Sequence, residues 1–127
     1  MKKNPPSHWK QNSDDHDFPN AANYLSLLMD SDLAKGITSQ IKKTSISTFL
    51  AKDLLRASKL LLLPVENYHV KKDLKKIKEG EYLSPVLLVR GNCKTDRPLI
   101  VADGYHRICA SYYLDENAEV PCHIVDL

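Results

Sequence analysis

The sequence predicts a compact α/β (α+β) domain behind a helical N-terminal segment. Short apolar runs that end at turn residues recur in the second half, which is typical of buried strands. Two stretches between those runs carry apolar residues at three- and four-residue spacing, which indicates helices. Hydrophobic residues make up 43% of the chain and charged residues 27%, an ordinary balance for a globular protein. A chain of 127 residues has room for one domain with a modest core.

Residues 1–19 are predicted to form a flexible arm. The segment is polar and carries Pro5, Pro6 and Pro19, so it offers little apolar surface to offset the entropy lost on ordering. Trp9 and Phe18 are the exceptions. We expect these two rings to pin the arm to the body of the domain; docking on a partner is the alternative.

Residues 20–58 are predicted to form a helical subdomain of three short amphipathic helices. Asn20 is expected to cap the first helix, and residues 30–32 are expected to cap the second. The third helix is expected to start within residues 44–47. Its predicted buried residues are Phe49, Leu50, Leu54 and Leu55.

Residues 59–127 are predicted to form a βαββαβ unit. The first strand is the apolar run 60–63, which Pro64 ends, and Gly80 stops the first helix. The strands are expected at 60–63, 85–89, 98–102 and 120–125, and the helices at 70–80 and 105–114.

The turn Asp103-Gly104-Tyr105-His106-Arg107 is the most informative motif. A buried strand stops at Asp103, and Gly104 permits a turn that a residue with a Cβ would resist. The first amides of a helix have no partner within the helix and lie at its positive end, so anions bind there. His106 and Arg107 add donors, and guanidinium geometry suits phosphate. The competing interpretation is structural: Asp103 caps the helix, Arg107 is a surface side chain and His106 is a satisfied histidine.

Four segments follow one another in an order that resembles a known superfamily. They are Leu63-Pro64-Val65-Glu66-Asn67, residues 83–90, residues 103–107 and residues 119–125. In this order they resemble the N-terminal domain of ParB partition proteins, and also sulfiredoxin. The resemblance begins at residue 63 and covers about half of the chain. It implies a ParB/sulfiredoxin-like fold for this half.

The resemblance also implies a binding site. The Gly-x-x-Arg loop of that superfamily holds nucleotide phosphates, and it corresponds here to Gly104, Tyr105, His106 and Arg107. ParB proteins usually have an arginine just after the first strand. Here that wall of the pocket would have to come from His69, Lys71 or Lys72.

Catalytic and metal roles follow from the same resemblance. Some relatives, including an ADP-dependent free-serine kinase, carry an Asp-Gly-His-like loop, which makes Asp103 a candidate for proton transfer or for Mg²⁺. Glu66 is a second candidate carboxylate, because Mg²⁺ prefers one or two carboxylates together with phosphate oxygens. A purely structural role is the alternative for both.

The cysteines suggest neither a metal site nor sulfiredoxin chemistry. Cys93, Cys109 and Cys122 with His123 lack the paired spacing of a zinc site, so no metal is expected from Cys or His. Tyr105 stands where sulfiredoxin has its catalytic cysteine, so cysteine-sulfinate reduction is not expected. Cys109 is expected to face the core as a small hydrophobic residue.

The predicted function is nucleotide binding by a stand-alone ParB-like domain, with ATP, ADP or CTP as ligand and Mg²⁺ as companion ion. An NTPase or a phosphotransferase is the enzymatic form of this prediction. One alternative is a DNA-associated, partition-like or nuclease-like accessory protein that uses the lysines of residues 71–78. Another is a non-catalytic protein-binding module that acts through its helical segment. The sequence ends at Leu127, so no helix-turn-helix is expected.

The expected compartment is the cytoplasm, without a membrane partner. Polar residues follow Met1-Lys2-Lys3 where a signal peptide would have an apolar stretch. The longest apolar run, residues 60–64, is far too short to span a bilayer. An odd number of widely spaced cysteines suits a reducing compartment.

Overall fold

The computed structural model describes residues 8–127, so residues 1–7 of the predicted arm lie outside the described residues. The described part is a compact α/β (α+β) fold with a four-stranded mixed sheet, which confirms the predicted class. The helices and strands are α1 (Asp17–Leu25), α2 (Ser31–Lys43), β1 (Ser47–Leu50), α3 (Ala51–Ser58), α4 (Tyr68–Lys78), β2 (Val86–Val89), β3 (Ile100–Asp103), α5 (Tyr105–Leu114) and β4 (Glu119–Val125), with a 3₁₀ turn at Cys93–Thr95. Within residues 8–127, none of the helices has the length and apolar character needed to cross a bilayer.

The strand order across the sheet is β1-β4-β2-β3. The central strand β4 runs antiparallel to β1, with Ser47 opposite Cys122, and parallel to β2, with Leu87 opposite His123. The edge strand β3 runs antiparallel to β2, so the end of β3 lies beside the beginning of β2. This places Asp103, the last residue of β3, at the start of β2.

The first strand is not the one predicted. Residues 60–63 form no strand, and the strand lies at Ser47–Leu50 instead, so the third helix begins at Ala51 rather than within 44–47. Leu61 is 80% exposed, and its carbonyl oxygen accepts the hydroxyl of Tyr105. A run of leucines does not by itself distinguish a strand from other structure. The strand β1 is instead specified by its pairing with β4.

The helices cover both faces of the sheet, which gives three layers. Alternate residues of β2 point to opposite faces. Leu87 and Val89 belong to the core that α1 and α2 cover, whereas Val86 and Leu88 belong to the core that α3, α4 and α5 cover. Segments from both sides of residue 58 contribute to both cores, and a division of domains there stays a prediction.

The boundaries of α2 and α4 agree with the predictions, whereas the start of α1, like that of α3, does not. The Asp30 side chain accepts the amide of Leu33 and caps α2, and α4 ends just before Gly80, both as predicted. Asn20, however, is not a cap, because α1 already begins at Asp17. Pro19 is tolerated there, since amides of the first helical turn need no partner within the helix.

Trp9 pins the described part of the arm, as predicted. Its side chain is buried, and Trp9 forms a parallel bridge with Leu83. The backbone amide of Lys10 donates to the carbonyl of Leu83 at 2.8 Å, and the Ser13 hydroxyl donates to the carbonyl of Pro85 at 2.9 Å. Phe18 is partly buried against the core under α1 and α2. These contacts bring the start of α1 close to the beginning of β2.

His123 on β4 makes the stability of the fold sensitive to acid. Its side chain is buried, and Nδ1 lies 2.9 Å from the carbonyl oxygen of Thr44, to which the neutral imidazole donates. Burial lowers the pKa of His123 below its ordinary value of 6.5, although the bond to Thr44 opposes the shift. The unfolded chain therefore takes up a proton before the native state does, and the stability present above pH 6.5 is lost as the pH falls toward the native pKa.

We expect His123→Asn, which retains an amide donor near Nδ1, to reduce this loss of stability between pH 7.5 and 5.5. Urea unfolding at pH 7.5 and at pH 5.5 measures this change in the free energy of unfolding. Burial also lowers the pKa of His8 and His106, so part of the acid sensitivity should remain. An unchanged pH dependence in His123→Asn would contradict the assignment.

Candidate functional site

The turn between β3 and α5 brings backbone close to neighbouring side chains. Gly104 has φ 114°, a left-handed conformation that L residues rarely adopt. A Cβ at this position would lie 2.4 Å from Cγ1 of Val86 and 3.0 Å from Nη2 of Arg107. The carbonyl of Gly104 accepts the amide of Ile108 at 3.0 Å, the first bond of α5. Glycine is therefore required here by both conformation and space.

A polar cleft of about 190 Å³ lies where α4 packs against the start of α5. One wall comes from α4 and the other from the β3–α5 turn. The residues that line it are His69, Lys72, Asp73, Lys76, Asp103, Gly104, His106 and Arg107. The residues of α4 follow the helical spacing i, i+3, i+4 and i+7 from His69, which places them on one face.

The cleft mixes charges of both signs. It contains three cationic side chains, two carboxylates and two histidines. The rings of His69 and His106 are 4.7 Å apart between centroids. Burial lowers the pKa of His106, and the neighbouring His69 and Arg107 lower it further, whereas Asp73 opposes the shift. Burial also raises the pKa of Asp73, against the opposing charges of Arg107 and Lys76.

Arg107 is held by carboxylates. Its Nη2 lies 3.0 Å from Oδ2 of Asp103 and 3.7 Å from Oδ2 of Asp17, and it donates to the carbonyl of Pro85 at 3.5 Å. The side chain is only 17% exposed, so Arg107 is not the surface residue of the structural alternative. Its Nε is buried and has no hydrogen-bond partner among residues 8–127. One end of the guanidinium thus belongs to an internal ion pair while the residue lines the cleft.

Asp17 is the residue of this site that sequence reasoning missed. It is the first residue of α1, is 1% exposed, and reaches the Arg107–Asp103 pair from a distant part of the chain. Its Oδ2 has no hydrogen-bond partner among the described residues, although Arg107 lies nearby. Burial raises the pKa of Asp103 above its ordinary value; Arg107 opposes the shift, and the nearby carboxylate of Asp17 adds to it. No signal in the sequence links Asp17 to Asp103, because their proximity depends on how α1 packs against β3.

The structure brings together five of the predicted site residues and leaves three outside the cleft. Those in the cleft are His69, Asp103, Gly104, His106 and Arg107. Tyr105 points away, since its hydroxyl donates to the carbonyl of Leu61. Lys71 and Glu66 are exposed and do not line the cleft. Lys72, which was named as an alternative for this wall, does line the cleft. Asp73 and Lys76 were missed, and helical spacing from His69 was the signal that could have found them.

The side chain of Asp103 does not cap α5. The residue that precedes α5 is Gly104, and no side chain caps this helix. The carboxylate of Asp103 instead accepts a hydrogen bond from Arg107. If Asp103 has a purely structural role, that role is to pair with Arg107 rather than to cap α5.

A second group of potential metal ligands lies beside the site. One ligand atom from each of Asp14, His16 and Asp17 falls within 4.8 Å of the others. Two cations already neutralise this group, since Lys10 Nζ lies 2.7 Å from Asp14 and Arg107 lies 3.7 Å from Asp17. They would compete with a metal ion. Mg²⁺ at Asp103 stays a prediction.

The cysteines lie away from the cleft. Cys109 and Cys122 are buried and Cys93 is exposed. Burial raises the pKa of the Cys109 and Cys122 thiols above their ordinary value. A raised pKa disfavours the reactive thiolate, which agrees with the expectation that Cys109 is a small core residue.

Comparison of the chain with protein-family models, with curated proteins and with solved structures finds no match. The resemblance to ParB proteins and sulfiredoxin therefore stays a prediction from the order of the motifs.

Proposed function

We propose that the cleft between α4 and α5 binds the phosphate groups of a nucleotide. The observation that carries this proposal is the convergence of Lys72 and Lys76 on the amino end of α5, next to Gly104. Helix amino ends offer unpaired amides and a positive dipole, and a glycine allows an anion to approach the backbone. Lysine ammonium groups provide the charge-assisted hydrogen bonds that phosphate oxygens accept.

The size of the cleft suits the phosphates rather than a whole nucleotide. Its volume of about 190 Å³ is below the roughly 300–1,000 Å³ that pockets for complete drug-sized ligands occupy. The sugar and the base would therefore extend beyond the cleft. The predicted nucleotides ATP, ADP and CTP each carry a chain of phosphates, so all three suit a cleft that holds the phosphates alone.

Arg107 and Asp103 support the lysines in this proposal. Arg107 contributes positive potential from within its pair with Asp103, while the two lysines contact the phosphates directly. In the enzymatic form of the proposal, Asp103 accepts a proton or shares Mg²⁺ with phosphate oxygens. Phosphoryl transfer depends mainly on positioning and charge neutralisation, and this cleft combines cations with a carboxylate of raised pKa.

The exposed lysines of α4 favour the DNA-associated alternative. Lys71, Lys75 and Lys78 recur at helical spacing, so they lie along one side of α4. Such a stripe can neutralise phosphates of a nucleic acid without sequence preference. Nucleotide binding depends on the lysines that line the cleft, whereas duplex binding depends on the stripe as well.

We expect Lys72→Ala to weaken nucleotide binding by about 10–100-fold, the loss of one or two charge-assisted hydrogen bonds. Lys75→Ala is the matched control: the same change on the same helix, at an exposed lysine outside the cleft, which should leave affinity unchanged. Calorimetric titration with ATP, ADP and CTP, with and without Mg²⁺, measures the effect. A duplex titrated in parallel tests the alternative, which requires both variants to lose affinity alike. Folded wild-type protein that binds none of the three nucleotides would refute the proposal.

A further inference from the structure

A larger cavity lies at the other end of β2 from the cleft. It measures about 540 Å³, within the range of pockets that enclose small molecules, and shares no lining residue with the cleft. Val86 at the start of β2 faces Gly104, whereas Leu88 and Arg90 near the end of the strand line this cavity. We call it the α3 cavity, because residues of α3 form one wall.

The interior of the α3 cavity is mainly apolar. The sheet contributes Phe49, Leu88 and Ile124, and α3 contributes Leu54 and Ala57. The amide of Leu99 donates to the carbonyl of Ala57 at 3.0 Å, which ties the end of α3 to the start of β3 and closes one side. A ligand with an apolar body would therefore remove apolar surface of the cavity from water.

The connection from Gly91 to Pro98 forms a firm wall of this cavity. Asn92 and Arg97 exchange backbone hydrogen bonds of 2.7 and 2.9 Å. A Cβ on Gly91 would lie 2.6 Å from the carbonyl oxygen of Arg97, so the chain folds closely over this glycine. The backbone of Arg97 is thereby fixed beside the cavity.

The charges around the cavity favour an anion. Arg56 is paired with Asp53 at 3.4 Å, and Arg90 is paired with Asp126 at 2.7 Å. Lys59 and Arg97 also line the cavity, and no carboxylate among residues 8–127 lies within ion-pair distance of either. Asp96 also lines the cavity, so Lys59, Arg97 and Asp96 together leave one net positive charge at the edge of an apolar space.

The hydrogen bonding of Arg97 is also incomplete. Its Nη2 donates to the carbonyl of Arg90 at 3.3 Å, while its Nε is buried and has no acceptor among the described residues. A buried donor without an acceptor is costly, and native proteins rarely contain one. A carboxylate at this position would accept from the guanidinium and satisfy it.

We propose that the α3 cavity binds a small monocarboxylic acid with an apolar body, whose carboxylate lies at Arg97 and Lys59. One carboxylate matches the net positive charge left by Lys59, Arg97 and Asp96, and the apolar body matches the interior formed by Leu54 and Leu88. This site is independent of the nucleotide cleft, so either proposal can fail without the other.

Titration of ¹⁵N-labelled full-length protein with octanoate and with 1-octanol, followed by backbone amide shifts, tests the proposal. Octanoate should give saturable shifts at residues such as Leu88, Arg97 and Leu99, with an affinity at least about tenfold above that of octanol. Arg97→Met should abolish this preference and leave octanol binding unchanged. Lys94→Met, at an exposed lysine of the same connection that does not line the cavity, is the matched control and should retain it.

Three results would overturn the proposal: equal affinity for octanoate and octanol, no saturable binding at millimolar octanoate, or shifts confined to the nucleotide cleft. The comparison of octanoate with octanol needs only wild-type protein. It therefore decides the matter even if Arg97→Met does not fold.

Discussion

Gly104→Ala is expected to destabilise the fold by about 2–5 kcal/mol and to abolish the phosphate binding that we propose for the cleft. The first contribution is conformational, because φ is 114° at this residue and an L side chain resists that region. The second is steric, because the added Cβ would lie 2.4 Å from Cγ1 of Val86, a residue that is fully buried. Relief of this overlap would move the first amides of α5 away from the cleft.

Two other glycines separate the two contributions. Gly80 also has positive φ, 81°, but a Cβ added there would meet nothing within 4 Å, so Gly80→Ala reports the conformational cost alone. Gly36 lies inside α2 in open space without positive φ, so Gly36→Ala should stabilise the protein by about 0.5–1 kcal/mol. Urea unfolding followed by far-ultraviolet circular dichroism measures all three. If Gly104→Ala lowers the free energy of unfolding no more than Gly80→Ala does, the contact with Val86 is not rigid.

Arg107→Leu is expected to destabilise the protein by about 3–5 kcal/mol at neutral pH. The substitution leaves the side chains of Asp17, 2% exposed, and Asp103, 19% exposed, without the cation that lies between them. Loss of one partner from a buried ion pair is costly, because the remaining charges stay out of water. The exposed pair of Arg90 and Asp126 provides the control, and Arg90→Leu should change stability by less than about 1 kcal/mol.

The pH dependence distinguishes this charge effect from simple loss of packing. Burial already raises the pKa of Asp103 from its ordinary 3.8, so the native state binds this proton before the unfolded chain does. Its contribution to stability is full below pH 3.8 and is lost as the pH rises through the native pKa. Without Arg107 the pKa of Asp103 should rise further, because the guanidinium opposes the shift.

The deficit of Arg107→Leu should therefore shrink as the pH falls, and denaturant unfolding at a series of pH values measures it. Adding Asp17→Asn to the variant should recover part of the loss at neutral pH, because it removes one of the uncompensated charges. A deficit that is constant between pH 7 and pH 4.5 would assign the effect to packing rather than to charge.

Elements whose signals are local were predictable from the sequence. The end of β3 at Asp103, the turn at Gly104 and the helix Tyr105–Leu114 follow from a strand that meets a glycine and a helical pattern. The lysine-rich helix ends before Gly80 for the same kind of local reason. One wall of the site was predicted less well. His69, Lys71 and Lys72 were named for it, of which Lys71 lies outside the cleft, and Lys76 was missed although it follows helical spacing from His69.

The sequence by itself therefore determined the α/β class and the geometry of the turn at Gly104, because turn chemistry and periodicity act within a few residues. Tertiary structure alone decided that Ser47–Leu50 rather than residues 60–63 forms the fourth strand, since a short strand is stabilised by its partner, here β4. It also decided that Asp17 meets Asp103 and Arg107. That contact depends on the docking of Trp9 and on the packing of α1 against β3, which no local pattern encodes.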